Sequence, residues 1–309
     1  METNGSTYGC VVVGGGAAGL SAALVLGRAL VPTLVVDAGR QSNLPAHAVG
    51  GLLGFTGAPE DLYAAGRDQL DALDDVDRVT DKVTGGTRDD EGFTLTLASG
   101  RDVHATRVIL ATGMAYTPPG IPGLADLWGD TAFHCPFCHG HEVRGRPLAV
   151  LVGAEEPLAE RALLLSRWTD DLVLLTDGRE PTPSDRERLG PRGIGIETRR
   201  VTRLETAPGP DGRPVLVAVL FDDGGRLPRD GVMVATAMVP NDALATALGA
   251  AAEPVKGVTV DAMRRTGVPG LYAAGDVAPH MPQVSTAIAA GAIAAAMVVR
   301  DAMEDPPAA

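Results

Sequence analysis

Six residues, Gly14-Gly15-Gly16-Ala17-Ala18-Gly19, restrict this chain more than any others. They follow a short β-branched run over residues 8–13, which reads as a buried parallel strand. A helix follows, with Leu20, Ala23, Leu24 and Leu26 as its apolar positions, and then a second strand over 33–36 that ends in Asp37. A glycine-rich stretch alone can be no more than a turn. Strand, G-x-G-x-x-G, helix, strand and acid in this order predict a βαβ unit that holds a dinucleotide. Its glycines let the backbone approach a pyrophosphate at the helix N-terminus, and Asp37, 18 residues after Gly19, can take ribose hydroxyls.

The 309 residues correspond to about two domains of ~150. A chain that is 45% hydrophobic and 21% charged can bury a sizeable core. Its net charge of −13 argues against nucleic acid and anionic membranes as partners. Residues 9–27 carry no charge and are long enough to resemble a membrane span. No basic segment precedes them, however, and five glycines lie in their first half. The alanine-rich run 288–299 is too short to cross a bilayer. The expectation is a cytoplasmic chain without export or membrane segments.

The second feature is His134-Cys135-Pro136-Phe137-Cys138-His139-Gly140. With Cys10 these are the only cysteines, and His134, His139 and His141 are three of the six histidines. Proline after the first cysteine suits the first turn of a helix, and a cysteine at a helix N-terminus is favoured as thiolate. A redox-active dithiol is one reading. A structural disulfide is another, although an isolated C-x-x-C in a reducing compartment is more often metal-binding or catalytic. Zinc needs four ligands, and no second C-x-x-C supplies them, so no metal is expected. C-x-x-C-H is also a haem-attachment pattern, but that chemistry requires export.

Further along, residues 78–83, 93–97 and 103–110 read as strands, with turns at Gly85-Gly86 and Ser99-Gly100. The last strand ends in Ala111-Thr112-Gly113, and far downstream lies Gly270-Leu271-Tyr272-Ala273-Ala274-Gly275-Asp276 before a helix over 284–299. These motifs, with the glycine turn and the central C-x-x-C, resemble the low-molecular-weight thioredoxin reductases and their flavoprotein relatives. The resemblance covers nearly the whole chain. It implies an α/β fold of two Rossmann-like three-layer domains. Residues 1–116 and 242–309 would form a discontinuous FAD domain, and 117–241 an inserted redox domain. FAD would lie on Gly14, Gly16, Ala17, Ala18 and Gly19, with Asp37, Ala38, Arg40 and Asn43 alongside. Val83 would offer its backbone to the adenine, and Ala111, Thr112 and Gly113 would border the cofactor. Gly275 and Asp276 would hold the ribityl or phosphate region, with Gln283 and Val284 near the isoalloxazine. The family precedent is a homodimer.

In those reductases the inserted domain binds NADPH. Here strands over 147–152 and 172–175 flank a helix over 158–168, but the turn reads Gly153-Ala154-Glu155-Glu156-Pro157-Leu158. Glu155 stands where the family has its second glycine, and Leu158 where it has its closing alanine. Carboxylates there repel a pyrophosphate. The paired basic residues that grip a 2′-phosphate are replaced by Thr176-Asp177-Gly178-Arg179, so NAD(P)H is not expected to bind. The alternative is a divergent NADH site using Asp177 for the ribose. The reductases carry aspartate after the second cysteine, whereas this chain has His139. Cys-Pro-Phe-Cys-His-Gly resembles instead the gliotoxin- and holomycin-type dithiol oxidases. That resemblance implies a small dithiol and O2 as partners, Cys135 as the substrate-facing thiol, and Cys138 as the flavin-proximal one. Thiol exchange needs a base poised near neutral pH, which fits His139, with His134 as second candidate. The rivals are a thioredoxin reductase fed by NAD(P)H or another donor, and a non-catalytic redox sensor.

Overall fold

The computed structural model describes residues 7–303, which divide into two compact units. The first comprises the described residues up to Leu44, Leu52–Ala115, and those from Met238 on; the second comprises Pro45–Gly51 and Tyr116–Ala237. Strands Met114–Thr117 and Ala237–Pro240, at the chain crossings, pair with each other.

The first unit has three layers. Its central parallel sheet runs in the order Leu271–Ala273, Val108–Leu110, Cys10–Val13, Thr33–Asp37, Val76–Thr80. Alternation sends Val11, Val13, Leu34 and Val36 to one face, packed on Phe93, Leu95, Leu97 and Val103 of a second sheet. Cys10, Val12 and Val35 go to the other face, beneath helices Ala17–Arg28 and Val284–Ala302. Burying each of these valines contributes about 1.5–3 kcal/mol.

Three expected strands turn out to be broken, and residues 78–83 divide between Val76–Thr80 of the central sheet and Val83–Arg88 of the outer one. Residues 8–13 split at Gly9: Thr7–Tyr8 pairs with Asp102–Ala105 in the outer sheet, and Cys10–Val13 pairs with Thr33–Asp37 and Val108–Leu110. Residues 103–110 split at the same level, and the Thr106 hydroxyl donates to the Gly9 carbonyl at 2.8 Å. Gly9 suits the break because a Cβ there would stand 2.9 Å from Val31 Cγ1. Gly85-Gly86 likewise forms no turn. Both lie within strand Val83–Arg88, paired with Phe93–Leu97, and a Cβ on Gly86 would come 2.8 Å from Leu95. Here glycine marks a close approach.

Helix Val284–Ala302 is longer than the expected 284–299, and by length and composition it could cross a bilayer. Its small residues serve packing instead. Gly291 lies directly against the Ala18 carbonyl, where a Cβ would clash, and the Ser21 hydroxyl donates to the Ile288 carbonyl at 2.8 Å.

The second unit repeats the architecture. A parallel sheet in the order Ala132–Phe133, Gly231–Val234, Leu148–Leu151, Leu172–Leu175, Gly195–Glu197 carries helix Leu158–Leu165 on one face. An antiparallel sheet of Val201–Pro208, Pro214–Phe221 and Arg226–Pro228 covers the other. The helix stops at Leu165 and not at Trp168, because N–H groups of Arg167 and Trp168 turn back to Leu164 and Leu165 in tight three-residue closures. Both units are Rossmann-like.

Candidate active site

In the first unit the glycine turn leaves space at one position. A Cβ on Gly14 would strike the Ala111 carbonyl, one on Gly15 the Asp37 carboxylate, and one on Gly19 the Gly14 carbonyl. Gly14 also has φ +112°, a conformation that favours glycine. On Gly16, by contrast, a Cβ would meet only Gln41 Cγ, at 3.7 Å. Helix Ala17–Arg28 begins there with no side-chain cap and no acid in its first turn. Its first N–H groups and positive dipole end are thus left for an anion. The open space and uncapped helix fit the pyrophosphate of a dinucleotide such as FAD.

The flanking candidates converge. Asp37, at its strand end, accepts from the Gly39 N–H at 2.9 Å and from the Gln41 amide at 3.1 Å to both oxygens. A carboxylate has about four acceptor sites, so capacity for ribose hydroxyls remains. Asn43 Oδ1 accepts from the Tyr63 hydroxyl at 2.7 Å. Tyr63 is 4% exposed, and burial, joined by the charges of Asp276 and Asp37, raises its pKa to about 12. Gln41 and Tyr63 were not foreseen from the sequence. Only Gln41, four residues past Asp37, offered a clue. Ala38 and Arg40 are exposed beside this group, and Val83 opens its strand opposite Leu97. Thr112 and Gly113 are clamped to Asn241: its amide donates to the Thr112 carbonyl at 2.8 Å, its backbone N–H to Gly113 at 3.0 Å. Gly275, φ +77°, opens a short 3₁₀ turn containing Asp276. Gln283 caps the helix that starts at Val284.

Cys10 lies apart from the C-x-x-C pair, in the first unit. It is fully buried in a sheet strand, and burial pushes its thiol up to about 12.

The dithiol belongs to the second unit. Strand Ala132–Phe133 ends in His134, and Cys135 caps a one-turn helix, Pro136–His139, whose Cys138 and His139 N–H groups donate to the Cys135 carbonyl at 3.2 Å. The two sulfurs stand 2.7 Å apart. His134 packs against Tyr116, tilted, and Trp128, stacked, with centroids at 4.9 and 5.7 Å. Burial, reinforced by His139 and Arg161, lowers its pKa to about 4. His139 stacks on Phe133 at 5.7 Å, and its Nε2 lies 3.0 Å from the Gly129 carbonyl. That contact requires a proton on Nε2, leaving Nδ1 as the bare nitrogen. Nδ1 is buried with no hydrogen-bond partner among the described residues. Burial also lowers the His139 pKa, so both imidazoles are neutral at pH 7. His141 is exposed, and its carbonyl accepts from Arg144.

A strap, Pro45–Gly51, closes over this turn. His47 Nε2 lies 2.9 Å from Asp130, and Arg213 donates to His47 Nδ1 at 2.9 Å. Gly50 meets the Cys138 carbonyl, which a Cβ would approach to 2.7 Å.

One strand away across the same sheet, the turn after Leu148–Leu151 is filled from within. The Gly153 N–H donates to Glu156 Oε2 at 3.3 Å, and Arg161 to Glu156 Oε1 at 2.8 Å. Arg179 donates to the Gly153 and Glu156 carbonyls at 2.7 and 2.9 Å. The intruding carboxylate is therefore that of Glu156 and not that of Glu155, which is exposed. Asp177, at φ +52°, accepts from the Val201 N–H at 2.8 Å.

Residues 8–291 match the family model described as pyridine nucleotide-disulphide oxidoreductase. A thioredoxin reductase, tcpT, of Claviceps purpurea is 29% identical, over 96% of this chain and 94% of its own. A thioredoxin reductase of Treponema pallidum is 30% identical over 96% of each chain. Among solved structures, HlmI is 35% identical with a TM-score of 0.89, covering 97% of this chain and 95% of its own. The open glycine turn, the dithiol and these matches together make the chain a thioredoxin-reductase-like flavoprotein of the pyridine nucleotide-disulphide oxidoreductase family.

Proposed function

We propose that this protein is an FAD-dependent dithiol oxidase that closes a disulfide within a small dithiol and delivers the electrons to O2. The observation that carries the reading is the filled turn, where Glu156 sits on the Gly153 N–H and a nicotinamide nucleotide would need its phosphates. With that entry taken, electrons arrive at Cys135 and Cys138 from a thiol substrate.

The cycle starts with the pair as a disulfide. A substrate thiolate attacks Cys135, the Cys135–Cys138 bond breaks, and Cys138 leaves as thiolate. The second substrate thiol, once deprotonated, attacks the substrate sulfur of the mixed disulfide. Cyclic disulfide departs, Cys135 leaves as thiolate, and the pair has gained two electrons. Gly16, the Ala17–Arg28 N-terminus, Asp37 and Asn43 would hold FAD, which would supply the two-electron carrier between the dithiol and O2. The balance is dithiol plus O2 to disulfide plus H2O2.

Each attack sheds a proton. Bare Nδ1 of His139 is our acceptor, since its imidazole is neutral at pH 7. His134, at about 4, is too weak a base to hold a thiol proton there. Its role is to pack against Tyr116 and Trp128.

The test is oxygen uptake with peroxide formation on adding a cyclisable dithiol, abolished by Cys135→Ser and by Cys138→Ser. Millimolar NADPH under nitrogen should leave the flavin oxidised. The names of the curated relatives favour a second reading, an NAD(P)H-fed thioredoxin reductase. Rapid flavin bleaching by NADPH would establish that reading and sink the first.

A further inference from the structure

We propose that His47, latched between Arg213 and Asp130, is a positioning residue that fixes which ring nitrogen of His139 is free to take a thiol proton. The inference rests on His139 as the base of the dithiol oxidase and deepens that reading. Arg213 donates to His47 Nδ1 at 2.9 Å. Arginine has donors only, so that nitrogen is the acceptor and the ring proton sits on Nε2, 2.9 Å from Asp130 Oδ2. Arg213 is itself held in place. Its carbonyl accepts from the Gly209 N–H at 2.7 Å, and its N–H donates to Asp211 at 3.1 Å. The strand that follows it is tied to the Asp130 turn by the Leu216 N–H, which donates to the buried Thr131 hydroxyl at 3.1 Å.

Asp130 matters to His139 because of the peptide bond it completes. The carbonyl 3.0 Å from His139 Nε2 is that of Gly129, and a peptide plane turns as one piece. Gly129, at φ +88°, is the residue type that lets such a plane swing. The other end of the plane has one backbone hydrogen bond, from the Asp130 N–H to the Leu127 carbonyl at 3.2 Å. The strap adds two further contacts. Pro45 lies directly on Gly129, where a Cβ would come within 2.7 Å of the proline carbonyl, and His47 takes the Asp130 side chain. With the Gly129 carbonyl fixed, the His139 proton stays on Nε2 and the buried Nδ1 stays bare. Burial lowers the His139 pKa; the Gly129 contact and the Glu142 and Asp130 charges oppose it, and the His47 ring acts with it. Base, turn and strap are thus within electrostatic reach of one another.

The experiment uses the full-length flavoprotein with isotope-labelled histidine, and dithiothreitol as substrate. Imidazole nitrogen chemical shifts distinguish a bare from a protonated ring nitrogen, and the His139 signals are those that His139→Gln lacks. In the parent, Nε2 should be protonated and Nδ1 bare. His47→Ala should give a mixture of both tautomers. It should also lower kcat about 2- to 12-fold at unchanged KM, the equivalent of one hydrogen bond worth roughly 0.5–1.5 kcal/mol. His47→Gln, whose amide both accepts and donates, should restore both readouts. Asp130→Ala should reproduce the defect from the other side of the contact. Flavin absorbance and circular dichroism should match the parent, because the two side chains are 36% and 33% exposed. A parental tautomer in His47→Ala and Asp130→Ala overturns the proposal, whatever their turnover. So does a changed tautomer at parental kcat, or a fall confined to KM. If the parent oxidises no dithiol, the oxidase reading fails; the tautomer, which needs no turnover, still decides whether His47 positions His139.

Discussion

Protonating His134 should destabilise the second unit from within, and the cost can be worked out. Its imidazole packs against Tyr116 and Trp128, and burial holds its pKa at about 4 against the ordinary 6.5. A base with a depressed native pKa binds its proton more readily when unfolded. Its contribution to stability is therefore complete above pH 6.5 and is lost as pH falls towards 4. The full difference of roughly 2.5 units corresponds to about 3 kcal/mol, of which about 2 kcal/mol is gone at pH 5. The variant His134→Phe keeps a ring in the stack and removes the titration. The chain's only tryptophans, Trp128 and Trp168, both lie in the second unit, so their fluorescence follows that unit during urea unfolding. Between pH 7.5 and 5.0 the parent should lose about 2 kcal/mol more than His134→Phe. Groups common to both proteins and distant from the site cancel to within a few tenths of a kcal/mol. A variant that is as acid-sensitive as the parent would refute the burial account.

Three other outcomes are expected. Gly16→Val should fold normally yet purify depleted of flavin, since its side chain enters the one open position of the turn; flavin absorbance relative to protein checks this. Glu156→Ala should lower the melting temperature slightly, reflecting a partly exposed ion pair worth about 0.2–1 kcal/mol, and inorganic pyrophosphate should then raise it in the variant and not in the parent. His139→Ala should retain flavin and slow dithiol oxidation by roughly 10²-fold at pH 7, with partial recovery towards pH 9 as thiols ionise unaided; turnover equal to the parent at pH 7 would remove the base role.

What the sequence made legible was what local sterics dictate. Three of the four glycines in the first turn admit no Cβ, so their spacing alone specified strand, turn and helix. The C-x-x-C likewise announced itself, because residues three apart in one helical turn bring their sulfurs together. Features set by distant partners stayed hidden. Residues 8–13 are uniformly apolar, and that pattern is the same whether a strand remains in one sheet or passes between two. Only the Thr106 hydroxyl on the Gly9 carbonyl marks the break. Gly85-Gly86 reads as a turn locally and is a strand because Leu95 presses against it. Pro45–Gly51 joins the second unit through Asp130 and Arg213, more than 80 residues away, which no local signal could announce.

The choice of Glu156 over Glu155 follows from the same distinction and explains how one architecture can carry two unlike turns. Repulsion by acidic residues was readable from composition, but which carboxylate folds inward depends on the phase of the helix. Pro157 starts that phase, so that Arg161 comes within 2.8 Å of Glu156. Glu155 is left in solvent. The sheet beneath is indifferent to the outcome. Leu148, Val150, Leu174, Val232 and Met233 are fully buried whatever occupies the turn, and their burial outweighs the single hydrogen bond from Gly153 many times over. In the first unit the helix begins uncapped, with no acid in its first turn, and its first N–H groups are left to water or an external anion. In the second the chain's own carboxylate takes up a backbone N–H of the turn, that of Gly153, while helix Leu158–Leu165 likewise starts without a side-chain cap. A Rossmann-like unit can therefore fill its turn with a glutamate of its own without disturbing its core, and the same sheet carries Cys135 and Cys138 just past strand Ala132–Phe133, which Gly231–Val234 separates from Leu148–Leu151.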